Sequence, residues 1–166
     1  VGNLVDGKYA CAGLETVLEE CFGAARLKDA LTEVVATAYE IERRLPFLFK
    51  SCNARSKPHY DFPMAQVVRA ATAAPTYFEP ARIEIDGLSD YYALIDGAVF
   101  AHNPGMCAYV HALERFPEAE DILMVSLGTG ELTRRLAYDD VKDWGAARWA
   151  QPVVNVMCDG LASSVD

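Results

Sequence analysis

The sequence predicts a mixed α/β domain, and two observations predict it. Short runs of apolar and β-branched residues that read as strands alternate with longer segments of helical apolar periodicity. One of those runs, Tyr92 to Ile95, leads into Asp96-Gly97 just before a helical pattern begins. The second observation puts a carboxylate at the C-terminal end of a strand, the usual place for a catalytic group in an α/β sheet. The chain has 166 residues, enough for one domain with a sizeable core. With 52% hydrophobic and 23% charged residues it has the composition of an ordinary globular protein.

Taken in order, Leu14, Val17, Leu18, Cys21 and Phe22 form one apolar helix face, and Gly23 is a natural stop. Leu27 to Leu31 adds a short second turn. Val34 to Tyr39 and Pro46 to Cys52 read as strands close enough to form an antiparallel hairpin. Asn53 to Tyr60 is polar and reads as a surface loop. Asp61-Phe62-Pro63 opens a helix whose stripe is Met64, Val67, Val68 and Ala71. The small side chains of residues 69–74 let that helix approach its neighbours, and Pro75 ends it. Arg82 to Ile85 alternates like an edge strand, and Asp86-Gly87 is a turn signal.

Tyr92 to Ile95 is continuously apolar, as expected of a strand covered on both faces. Asn103-Pro104 starts a helix, with Asn as N-cap, Pro at the first helical position, and Met106, Tyr109, Val110 and Leu113 as its buried face. Ile122 to Leu127 reads as another buried strand, followed by Gly128-Thr129-Gly130. A helix is expected near Trp144 to Trp149. Pro152 opens a last apolar helix with Val153, Val154, Val156 and Met157.

Charge narrows the function. A formal net charge of -9 argues against nucleic acid, whose binding depends on Lys and Arg neutralising phosphates, and against electrostatic docking on anionic lipid. Apolar contact at the periphery of a membrane stays open. No run is long and apolar enough to span a bilayer, and the first residues do not form a signal peptide. The five cysteines are widely spaced without a CxxC and read as buried free thiols, which fits a reducing, cytoplasmic setting. His59, His102 and His111 are dispersed and show no HExxH pattern, so a metal site is not expected.

The motifs carry competing readings. Asp-Gly is a turn former, so Asp96-Gly97 is structural from local pattern alone. Its functional reading needs the aspartate within about 2.6–3.2 Å of a serine hydroxyl. His102 invites a Ser-His-Asp triad, but a histidine in an exposed loop needs no such explanation. Ser126-Leu127-Gly128-Thr129-Gly130 lacks the GxxxxGK[ST] pattern of a phosphate loop, and Met124 stands where G-x-S-x-G would need glycine. None of the six serines stands in a nucleophile elbow.

Three motifs in order nevertheless resemble the patatin-like phospholipases: residues 69–78 (Arg69-Ala70-Ala71-Thr72-Ala73-Ala74-Pro75-Thr76-Tyr77-Phe78), residues 94–104 around Asp96-Gly97-Ala98, and Ser126 to Gly130. Thr37 to Ile41, Phe49-Lys50-Ser51 and Met157 to Gly160 are similar too, so the resemblance covers nearly the whole chain. It implies a three-layer αβα fold like that of the cytosolic phospholipase A catalytic domain. It also implies acyl-ester hydrolysis of lipid by a Ser-Asp dyad without cofactor, with Asp96 as the aspartate. The family's serine elbow and glycine-rich oxyanion loop precede the matching motifs and are absent here. The chain is thus expected to be residues 1–166 of the C-terminal portion of one such domain, incomplete at both ends and inactive alone. A degenerate patatin-like binding or scaffold module is the second reading. A nucleotide-binding domain based on Leu127 to Gly130 is the third. Which lipid is cleaved, and the oligomeric state, are not set by the sequence.

Overall fold

The computed structural model describes residues 9–128, 135–150 and 152–162. The chain divides into two compact units, residues 1–101 and 102–166.

The first unit is built on a four-stranded sheet of β1 (Val35–Glu40), β2 (Leu45–Lys50), β3 (Ala81–Glu84) and β4 (Tyr91–Asp96), in the order β2-β1-β4-β3. Every neighbouring pair is antiparallel, which the alternation of strands and helices does not specify. The β1–β2 and β3–β4 pairs are hairpins. They are joined by a short seam in which Ala38, Tyr39 and Glu40 face Asp96, Ile95 and Leu94.

Each hairpin turn has its own chemistry. Arg44 takes a φ of 59° in the first and Gly87 a φ of 81° in the second. Glu40, 1% exposed, holds the first turn: its carboxylate accepts the Arg43 N–H, and also the Ala93 N–H of β4 at 3.2 Å. A buried carboxylate is tolerated because backbone donors satisfy it.

Helix α3 (Met64–Ala71) packs on β1, β3 and β4 and supplies Val67 and Ala70 to the core. The core continues through Ala38, Phe49, Phe62, Ile83 and Leu94. Phe49 and Phe62 meet edge to face at 5.4 Å, an arrangement favoured by the ring quadrupoles. Helix α1 (Cys11–Phe22) lies against α3, and α4 (Ala98–Ala101) leans on β1. Gly23 ends α1 with a φ of 49°, as expected of a glycine stop.

Several expectations need correction. Leu14 and Phe22 are only partly covered on α1, Val17 and Cys21 are exposed, and Cys11 and Leu18 form its buried face. Of the five thiols, only Cys11 is buried. The second strand stops at Lys50, because Ser51 begins α2 (Ser51–Ser56). The polar stretch 53–60 is therefore mostly helical, with a 3-10 turn at Pro58–Tyr60. Tyr92 to Ile95 has one fully buried residue, Leu94, while Tyr92, Ala93 and Ile95 are half-buried. Helix α3 ends at Ala71, before Pro75.

The second unit contains α5 (Gly105–Arg115), α6 (Tyr138–Val141), α7 (Ala146–Trp149) and α8 (Pro152–Ala162). Met106, Tyr109, Val110 and Leu113 of α5 are exposed, and its buried residue is His111. Periodicity identifies an apolar stripe but not what covers it. Ile122 to Leu127 forms no strand, and Leu123 and Leu127 are each 91% exposed. A strand exists only with a partner for its backbone, and local pattern cannot supply one. Among the described residues, no helix is long and apolar enough to cross a membrane.

Candidate functional site

Asp96 is the last residue of β4, half-buried, on the same strand face as buried Leu94. Its backbone N–H donates to the Ala73 carbonyl at 3.0 Å, tying the end of the strand to the chain just after α3. Ala73 has no exposed surface, so the small residues of segment 69–74 serve this approach. One carboxylate oxygen, Oδ1, accepts the Ala98 N–H at 2.8 Å. That bond ties the carboxylate to the first residue of α4.

Gly97 is needed for a different reason from the one its dipeptide gives. Among the described glycines only Gly23 and Gly87 have positive φ. A Cβ added to Gly97 would lie 2.4 Å from Thr37 Oγ1 and 2.6 Å from both the carbonyl carbon and the Cβ of Thr37. β1 thus passes too close for any side chain at position 97. The Gly97 carbonyl accepts the Phe100 and Ala101 N–H groups at 3.1 and 2.9 Å and opens α4. Phe100 of that helix meets Tyr39 of β1, ring centroids 6.4 Å apart.

The other sequence candidates separate from Asp96 in role. His102 is exposed. Asn103 Oδ1 accepts the Gly105 N–H at 2.9 Å and so caps the start of α5 as a side chain, with Pro104 at the cap position instead of the first helical one. Ser126 and Gly128 are exposed, and Thr129 and Gly130 lie outside the described residues.

Among the described residues, Ser51 is the serine that meets a carboxylate: its hydroxyl donates to Glu33 Oε2 at 2.9 Å. It also accepts the Val34 N–H at 2.9 Å and has no exposed surface. The pair is a buried clasp between the start of α2 and the approach to β1, closed to substrate. A cavity of about 460 Å³ lies between α1, α3 and β3, lined by Leu18, Arg69, Ala81 and Ile83 among others, and it does not include Asp96. Arg69 is an anchor there: it donates to the Glu79 carbonyl at 3.0 Å and pairs with Glu15 at 3.3 Å.

Sequence reasoning singled out Asp96, Gly97 and the small-residue run. It gave no role to the approach of Thr37 to Gly97 or to the Ala73 carbonyl. The small-residue run was a signal for the second, whereas Thr37 entered only as part of the similar segment Thr37 to Ile41.

No family model matches the chain. Individual relatives do. The chain is 37% identical over 161 residues to patatin-like protein 6 of Arabidopsis thaliana, across 92% of this chain and 32% of that protein. It is 32% identical over 180 residues to patatin group A-2 of Solanum tuberosum, across 98% of this chain and 45% of that one. It is also 30% identical to a potato protein named probable inactive patatin-3-Kuras 1, across 91% of this chain and 45% of the relative. The chain therefore spans from about a third to just under half of the curated relatives it matches. Over nearly its whole length, in sequence and with a mixed α/β fold around the Asp96-Gly97-Ala98 motif, the chain belongs to the patatin-like family.

Proposed function

We propose that the chain is the C-terminal portion of the domain of a patatin-like lipid acyl hydrolase and carries its general base, Asp96. The observation that carries this reading is the placement of Asp96: a half-buried carboxylate at the end of β4, pinned through its backbone to Ala73 and through Oδ1 to the Ala98 N–H. In this reading the nucleophilic serine lies outside these 166 residues; among the described residues, the serine that meets a carboxylate, Ser51, is buried in a structural clasp.

In the proposed reaction the serine Oγ attacks the acyl carbonyl and its proton passes to Asp96. The tetrahedral intermediate collapses, the ester C–O bond breaks, and Asp96 returns the proton to the leaving alcohol. Water then attacks the acyl-enzyme, losing its proton to Asp96, and the fatty acid departs as the serine is reprotonated. No metal or organic cofactor takes part. The substrate is a lipid or other acyl ester, met by apolar contact at the membrane surface, in a cytoplasmic setting.

The test is hydrolysis of a short-chain p-nitrophenyl ester by the full-length protein, by its Asp96→Asn variant and by this chain alone. The full-length protein is expected to be active, Asp96→Asn to lose at least about a hundredfold, the lower range for an acid–base residue, and the isolated chain to be inert. Activity in the isolated chain that Asp96→Asn abolishes would sink the reading. A second reading is favoured by relatives named probable inactive: a patatin-like binding module without chemistry. An intact full-length domain lacking G-x-S-x-G would select it.

A further inference from the structure

We infer that Thr37 of β1 is a positioning residue for the Asp96 carboxylate, acting as a steric stop behind Gly97. The inference rests on the reading of Asp96 as general base and adds a residue to that machinery.

The geometry points to it from three sides. The chain must leave β4 and enter α4 within Asp96-Gly97-Ala98, and the carboxylate accepts the Ala98 N–H across that turn. On one side the turn is set by the Ala73 carbonyl, which holds the Asp96 N–H at 3.0 Å. On the other it is set by Thr37, whose Oγ1, Cβ and carbonyl carbon occupy the space a Gly97 Cβ would need. Two residues along the same face of β1, Tyr39 holds Phe100 of α4. β1 is thus a seat with two contacts, and Thr37 is the one directly beneath the turn.

A threonine suits this task. Its branched Cβ makes χ1 stiff, so Oγ1 is held as a fixed stop where a longer, flexible side chain would yield. What the seat requires is branched bulk; the hydroxyl as a donor is not required. Thr37→Val keeps the stop. Thr37→Ala removes both γ atoms, frees the start of α4 to settle towards β1, and moves the carboxylate off its line to the serine. Misplacements near 1 Å cost catalysis on the order of a hundredfold without touching substrate binding.

The test measures kcat and KM for p-nitrophenyl butyrate, together with the melting temperature, for Thr37→Val, Thr37→Ser, Thr37→Ala and Asp96→Asn in the full-length protein. The expected result is that Thr37→Ala lowers kcat on the order of tenfold to a hundredfold with KM unchanged, and that Thr37→Val restores kcat to within about twofold. Thr37→Ser, which keeps Oγ1 but loses the γ-methyl, should fall between and serves if the alanine variant does not fold. If Thr37→Ala lowers the melting temperature and leaves kcat intact, the residue is structural and the inference fails. If Thr37→Val is as poor as Thr37→Ala, the hydroxyl matters and the steric stop is wrong. If Asp96→Asn keeps full activity, the dyad reading itself has failed, whatever Thr37 does.

Discussion

At the scale of single residues, Gly97 shows how a motif can be legible for the wrong reason. Asp-Gly marks a turn in sequence, and the chain does change direction there. Yet its φ is not positive, and the constraint comes from Thr37, a residue far upstream that no local pattern connects to it. Gly97→Ala should therefore inactivate the full-length protein and destabilise the fold by about 1–3 kcal/mol, the usual range for overpacking. One of the three clashing atoms is the Thr37 carbonyl carbon, which no substitution removes. The double variant Gly97→Ala, Thr37→Ala should then recover little of either, as urea melts and ester hydrolysis would show. Full recovery would mean that side chains alone set the gap. The place of Asp96 at a strand end was legible because an apolar run ending in a carboxylate is a local signal. The Ala73 carbonyl was half-legible, through the small residues around it.

At the scale of elements, the legible features were those that chain neighbours decide. The β1–β2 and β3–β4 hairpins, the start of α3 and the glycine stop of α1 all follow from short-range chemistry. Where α1 buries Leu18 rather than Val17, packing chose the face. The 3-10 turn Leu27–Asp29 shows how elements are then clamped together. Arg26 and Lys28 around that turn both reach Asp61, which precedes α3 and is 5% exposed. Burial pushes the Asp61 carboxyl up, but hydrogen bonds from Arg26 and Lys28 together outweigh it and hold the group below its ordinary value. A carboxyl lowered on folding stabilises the protein above its unfolded value, here 3.8, and loses that contribution as pH falls through the folded one. The urea midpoint of this chain should then drop more steeply below pH 3.8 than that of Asp61→Asn. At neutral pH the variant should cost about 2 kcal/mol, as for lost hydrogen bonds to a charged group. Parallel acid profiles would show that Asp61 is not a linkage site.

At the scale of the whole molecule, the sequence conveyed fold class and family, because three ordered motifs survive in it. It could not convey how far apolar patterns are covered. The stripe of α5 and the run Ile122 to Leu127 have the composition of buried elements, yet their apolar side chains are exposed among the described residues. Hydrophobicity states that a surface gains by burial; it does not state against what.

The order β2-β1-β4-β3 has a consequence for how the chain reaches this state. Each hairpin closes a local loop, whereas the β1–β4 seam joins residues distant in sequence through only the pairs Ala38–Asp96, Tyr39–Ile95 and Glu40–Leu94. Loop-closure entropy delays such non-local pairing, so the hairpins should form early and the seam late. In a chevron analysis, Ile95→Ala, whose strand partner is Tyr39 across the seam, should mainly speed unfolding, with a φ-value below about 0.3, while Phe49→Leu in β2 should slow refolding. A φ-value near one at Ile95 would reverse the order. Asp96 sits in the final pair of that seam, so by this order the carboxylate is brought to its place only as the fold becomes complete.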